Sequence, residues 1–168
     1  MKKFVLGLLI GICLPLAGAY FFIASGRMPV ATKGNPLPLE KFLARKALHA
    51  AMDPEAKKPS PLPADELNLL AGARIYLAQC GICHGRLGRP ASAIAAGLFP
   101  PAPQLLPPKK GVTDDPVGAT YWKVRNGIRL TGMPGFVGSL SDPELWQVSM
   151  LLAKADKLPA SVQQALRD

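Results

Sequence analysis

Apolar and polar positions change pattern several times along the chain. From Phe4 to Ser25 there are 22 residues without a charged side chain, preceded by Lys2 and Lys3 and followed by Arg27. As a helix rising about 1.5 Å per residue, this run reaches about 33 Å and spans a hydrocarbon core. The short basic N-terminus keeps that end inside, so everything after the run faces the periplasm. The run also reads as a cleaved secretory signal, with Phe4 to Leu16 as its apolar region and Ala17-Gly18-Ala19 as the cut. Tyr20-Phe21-Phe22-Ile23 continues the apolar stretch past that cut, which favours a retained inner-membrane anchor over residues 1–26. A soluble periplasmic product is the alternative.

Residues 27–63 read as a tether. Within it, Leu39, Phe42, Leu43, Ala47 and Leu48 recur at helical spacing, with Glu40, Lys41, Arg45 and Lys46 largely opposite, so a short amphipathic helix is expected over 38–52. It would pack on the domain or lie on a membrane surface. Asp53 to Pro63 holds four prolines and is expected to be extended, which places a boundary before a domain at 64–168. There, Asp65 caps a helix carrying Leu69, Gly72, Tyr76 and Cys80 at intervals of three or four. Arg89 to Pro108 contains six prolines and reads as wrapped loop around a short helical signal at Ala91 to Ala96. Asp114-Asp115-Pro116 opens a second helix that Asn126-Gly127 closes. Ser141-Asp142-Pro143-Glu144 is a capping box for a third, striped with Leu145, Val148, Leu151 and Leu152. No strand-like alternation and no repeat interrupts this pattern, so the expected class is all-α, with about three main helices and long loops.

Composition narrows the picture. The chain has 168 residues, 49% hydrophobic and 18% charged, which excludes a disordered protein and leaves room for one small domain rather than a multidomain enzyme. The 105 residues from Ala64 to Asp168 give a thin core unless a cofactor fills it. Net charge is +9, and Arg86, Arg89, Lys109, Lys110, Lys123, Arg125 and Arg129 cluster in sequence. Without a nucleic-acid motif, that charge points to redox proteins with acidic docking surfaces or to anionic lipid.

The candidate chemistry lies at Cys80-Gly81-Ile82-Cys83-His84. C-x-x-C-H is a c-type haem attachment string: two thiols add across the porphyrin vinyls, and the adjacent histidine supplies the proximal nitrogen. A dithiol redox motif would want a βαβ context, and a zinc site would want a second Cys or His pair; the sequence has neither. One string means one covalent haem. The sixth iron position is assigned to Met133, in the stiff loop Thr131-Gly132-Met133-Pro134-Gly135, with His49 as the rival and Met150 read as core. The expected walls of a dry pocket are Ile94, Leu98, Leu105, Ile128, Leu130 and Phe136.

Gly72, Tyr76, Cys80, Cys83-His84, Pro103-Gln104-Leu105, the Met133 loop and a last helix bearing Trp146 together resemble class I monohaem cytochrome c over Ala64 to Leu158. The resemblance implies a small haem-wrapping fold and electron transfer rather than enzymatic turnover. It further implies that Gly72 lets the first helix cross the last, with Tyr76 packed into the crossing. The Pro103 carbonyl would accept the Nδ1 proton of His84, and Thr131, with Tyr121 or Trp122, would hold a haem propionate. The expected function is therefore a membrane-anchored periplasmic electron carrier. The alternatives are a haem subunit of a larger oxidase or dehydrogenase, and a ligand-binding or peroxidatic haem protein with an open iron position.

Overall fold

A computed structural model of the chain describes residues 1–89 and 91–167. Pro90, counted above among the loop prolines, and Asp168, the end of the expected domain, lie outside the described residues. The chain divides into two compact units, 1–40 and Lys41 onward. In the first, α1 runs Lys2–Ala24 with every side chain exposed. Its mean hydropathy reaches 2.2 over 18 residues, so by length and composition it is able to cross a membrane.

The second unit is built on a crossing of helices. α2 is Glu40–Ala56, α3 Glu66–Ile75, α4 Gly81–His84, α5 Ala93–Gly97, α6 Val117–Asn126, α7 Asp142–Ala153 and α8 Ala160–Ala165. No strand occurs among the described residues. α3 packs on α7 and α8, and α6 packs on α7. Local signals set these elements. The Asp65 carboxylate accepts from the Asn68 backbone N–H at 2.9 Å and opens α3. The Ser141–Glu144 box opens α7, and Gly127, at φ 69°, closes α6 in a conformation that side chains with a Cβ rarely adopt. Burial then holds the helices together: the α7 stripe of Leu145, Val148, Leu151 and Leu152 is at most 2% exposed, and Tyr76 and Trp146 fill the crossing. Each such side chain contributes about 1.5–3 kcal/mol.

Three features differ from the sequence reading. α3 does not run straight to Cys80: a single π-helical turn, Tyr76–Cys80, joins it to α4. Such a turn inserts extra backbone and re-aims the residues beyond it, a device concentrated at functional sites. α8 is unforeseen, although Val162 and Leu166, one turn apart, are fully buried. Finally, the sequence reading places residues 41–63 in a tether, whereas the structure groups them with the helices that come after. Met52 is 5% exposed, Leu62 packs on the core, and the Ser60 hydroxyl lies 3.0 Å from the Met150 sulfur. α2 also runs through Pro54 to Ala56, four residues into the stretch expected to be extended, and apolar anchors such as Leu62 let the proline-rich residues after it adhere to the domain.

Candidate cofactor site

Side chains from several segments converge on one apolar cleft of about 250 Å³. The π turn and α4 supply Cys80, Cys83 and His84. The proline-rich loop supplies Leu98, residues 100–103 and Leu105. The loop after α6 supplies Ile128, Thr131, Met133 and Phe136, and α6 itself turns Thr120, Lys123 and Val124 inward. The four candidate residues for attachment and ligation thus line a single space.

The imidazole of His84 is oriented by its backbone partner. Its Nδ1 lies 2.8 Å from the Pro103 carbonyl oxygen, which only accepts, so Nδ1 carries the proton and Nε2 keeps its lone pair. Burial lowers the His84 pKa, against a smaller raising effect of the Pro103 bond, and keeps the ring neutral as a metal ligand requires. The turn carrying it is tied down as well. Tyr76 donates its buried hydroxyl proton to the Gly85 carbonyl at 2.7 Å, with the His84 carbonyl at 3.1 Å. Burial, with Cys80 adding, raises the Tyr76 pKa and keeps that proton in place.

Burial pushes the Cys80 thiol up to about 12, and its neighbour Cys83 adds to the rise. A reactive redox dithiol shows the opposite, a depressed pKa. Burial therefore holds Cys80 as a thiol, unlike the thiolate of a redox dithiol.

The Met133 loop is braced from within. The Thr131 hydroxyl donates to the Ile128 carbonyl at 2.7 Å and accepts from the Met133 N–H at 3.1 Å, and the Ile128 N–H donates to the Met133 carbonyl at 3.1 Å. The Phe136 N–H then donates to the Val124 carbonyl at 3.0 Å, fastening the loop to α6. Met133 is half-buried and lines the cleft.

Several expected residues fall elsewhere. Tyr121 and Trp122 are not among the cleft lining. Tyr121 donates to the Asp142 carboxylate and stacks on Trp146, with centroids 4.0 Å apart and planes at 12°. The helical pitch explains this: if 120, 123 and 124 face the cleft, 121 and 122 do not. Thr131 lines the cleft, and its hydroxyl donates to the Ile128 carbonyl and so braces the loop. Leu98, Leu105, Ile128 and Phe136 are walls as expected, whereas Ile94 and Leu130 are exposed at 52% and 93%. His49 is exposed and does not line the cleft.

Sequence reasoning missed Thr120, Lys123 and Leu48, all of which line it. The signal for the first two was the i, i+3, i+4 relation with Val124 on one face of α6. The Thr120 hydroxyl is buried without a hydrogen-bond partner among the described residues, at 3% exposure. Lys123 is partly buried and pairs with Asp115 at 3.1 Å, leaving ammonium protons to spare. Apolar walls, two thiols, a neutral imidazole, a thioether and an unspent hydroxyl beside a lysine together fit a tetrapyrrole bearing carboxylate groups.

Residues 67–150, 84 of the 168, match the family described as cytochrome c oxidase, cbb3-type, subunit III. Among solved structures, a chain of the Kuenenia stuttgartiensis reducing HAO-like protein complex aligns at 27% identity and a TM-score of 0.45, over 57% of the present chain. The alignment covers 47% of that chain, so the present protein spans about half the length of this relative. No curated protein matches. With half of its length in the family match, and an all-helical domain around an apolar cleft that holds the C-x-x-C-H string, the chain belongs to the cytochrome c family described as cbb3-type oxidase subunit III.

Proposed function

We propose that this chain is an electron carrier exported to the periplasm and anchored by α1, with one haem c joined through Cys80 and Cys83 and ligated by His84 and Met133. The observation that carries the reading is the His84–Pro103 bond of 2.8 Å in a cleft that also contains both thiols and the Met133 side chain. When bound, the haem supplies a one-electron couple at iron.

The protein's part is to hold and orient. Cys80 and Cys83 would hold the haem through thioether bonds, each thiol adding across one vinyl group. Pro103 fixes the His84 tautomer, and Tyr76 pins the turn behind it. Thr131 and Ile128 hold the Met133 loop in one conformation, so the thioether is in place before and after an electron passes. Leu98, Leu105, Val124, Ile128 and Phe136 exclude water, which together with a thioether ligand favours a high potential. Thr120 and Lys123, which line the cleft, would hold the haem carboxylates, a role given to Tyr121 or Trp122 on resemblance. Arg86, Arg89, Arg125 and Arg129, close in sequence, would add positive charge that attracts an acidic redox partner. Met133→Ala tests the ligand set: the weak far-red thioether-to-ferric-iron band should vanish and the potential fall. An unchanged spectrum removes Met133 from the iron.

A second reading, a haem-bearing subunit of a terminal oxidase, is favoured by the family description, which names such a subunit. Electron transfer would be the same at a fixed address. Solubilisation of membranes in mild detergent decides between them: a carrier purifies alone, and a subunit brings partner chains with it.

A further inference from the structure

α2 lies wholly outside the family match, yet it is built into the cleft. Leu48 lines the cleft, one turn later Met52 is 5% exposed, and the helix ends against α6. That end is a close fit. A Cβ on Gly118 would come within 2.5 Å of the Glu55 carbonyl oxygen and 2.7 Å of those of Ala56 and Lys58, so only glycine admits the approach. Gly118 is in the first turn of α6, and the carbonyls it meets are those of the last turn of α2 and of Lys58 just beyond it. By contrast the N-terminal half of α2 stays free: Phe42 is 63% and Leu43 58% exposed. α2 is held by its C-terminal half alone, and that half reaches the cleft.

We propose that α2 is a wall of the cofactor cleft, seated on Gly118, and that Leu48 shields one edge of the haem from water. The proposal rests on the haem reading above. The segment before the cytochrome domain thereby acts on the redox couple, because a drier cleft disfavours the more highly charged oxidised iron and the seated helix raises the potential.

The test uses the full-length, haem-loaded protein in detergent, with haem content measured by the pyridine haemochrome spectrum. Gly118→Ala should unseat α2, raise amide hydrogen exchange over 41–56 and lower the midpoint potential. Leu48→Ala leaves the seat intact, so it should lower the potential while exchange over 41–56 stays near native. Phe42→Ala should change neither. If Gly118→Ala leaves both exchange and potential at native values, the seat is wrong. If neither Gly118→Ala nor Leu48→Ala moves the potential of haem-loaded protein, the wall is wrong. Should Gly118→Ala fail to fold, Leu48→Ala carries the decision. A native protein without haem would instead defeat the underlying reading, and the haemochrome spectrum separates that failure from the other two.

Discussion

Gly72→Ala tests the helix crossing on which the cleft depends. A Cβ at this position would lie 2.4 Å from the Gln147 carbonyl oxygen, 2.8 Å from its carbon and 3.1 Å from the Leu151 Cβ. A carbon and a carbonyl oxygen come no closer than about 3.3 Å in favourable contact. The obstacle is backbone, so α3 and α7 must part by roughly 1 Å at their crossing. Overpacking of this kind costs about 1–3 kcal/mol, more when two elements must move together. The opposing gain from replacing glycine by alanine in a helix is about 1 kcal/mol. Separation also loosens Tyr76 and Trp146, both in the core at the crossing, so a net loss of about 2 kcal/mol is expected. For a unit of this size that lowers Tm by roughly 5–10 °C. Thermal melts followed by far-ultraviolet circular dichroism measure it, with Gly97→Ala as the control, since a Cβ there meets nothing within 4 Å. A Gly72→Ala melt at or above the native Tm, with Gly97→Ala unchanged or raised by the helix gain alone, would refute the idea that the crossing demands glycine.

Three further outcomes concern the site and the caps. Thr131→Val removes both bonds that brace the ligand loop and should weaken Met133 ligation, read as partial loss of the far-red band and faster cyanide binding to the ferric protein; native values would make the brace irrelevant. Thr120→Val deletes an unpartnered buried hydroxyl, so the fold should be unharmed or slightly stabilised while the potential falls, with Thr120→Ser restoring it; a native potential in Thr120→Val would deny Thr120 a role at the haem carboxylates. In the α7 capping box, Ser141 hydrogen bonds, from its hydroxyl first and its backbone N–H second, hold the Glu144 pKa below the ordinary glutamate value. The stability this confers is complete above the unfolded pKa and is lost as pH falls through the lower folded value. Ser141→Ala should cost about 1 kcal/mol at neutral pH and flatten the acid limb of stability, and an acid limb identical to native would exclude the linkage.

Much of this was legible because the signals were local. The C-x-x-C-H spacing, the Asp65 and Ser141 caps, the Asn126-Gly127 stop and the α7 stripe each depend on residues within a turn or two of one another, and the structure places them as expected. The partner of His84 was legible only through family resemblance, since nothing local links it to Pro103, 19 residues away. Whatever escaped depends on rotation or on distant contacts. Tyr121 and Trp122 are attractive hydrogen-bond donors by type, but helix phase decides which residues face the cleft, and it selects Thr120 and Lys123. Ile94 and Leu130 are apolar by type, yet lie on outward-facing positions. No residue preference over Tyr76–Cys80 announces the π turn, and α8 is too short to declare a period. The packing of residues 41–63 was hidden by proline content, which reports neither that α2 continues through Pro54 to Ala56 nor the surface the segment lies against.

The central claim is one haem covalently joined at Cys80 and Cys83. Acid-acetone extraction of the full-length protein, matured with the c-type assembly machinery, followed by intact-mass measurement, tests it most directly. The account predicts that colour stays with the polypeptide, at one haem per chain, and is lost to the organic phase in the Cys80→Ala, Cys83→Ala double variant. Colour that leaves the native polypeptide, or native protein that carries none, would contradict it.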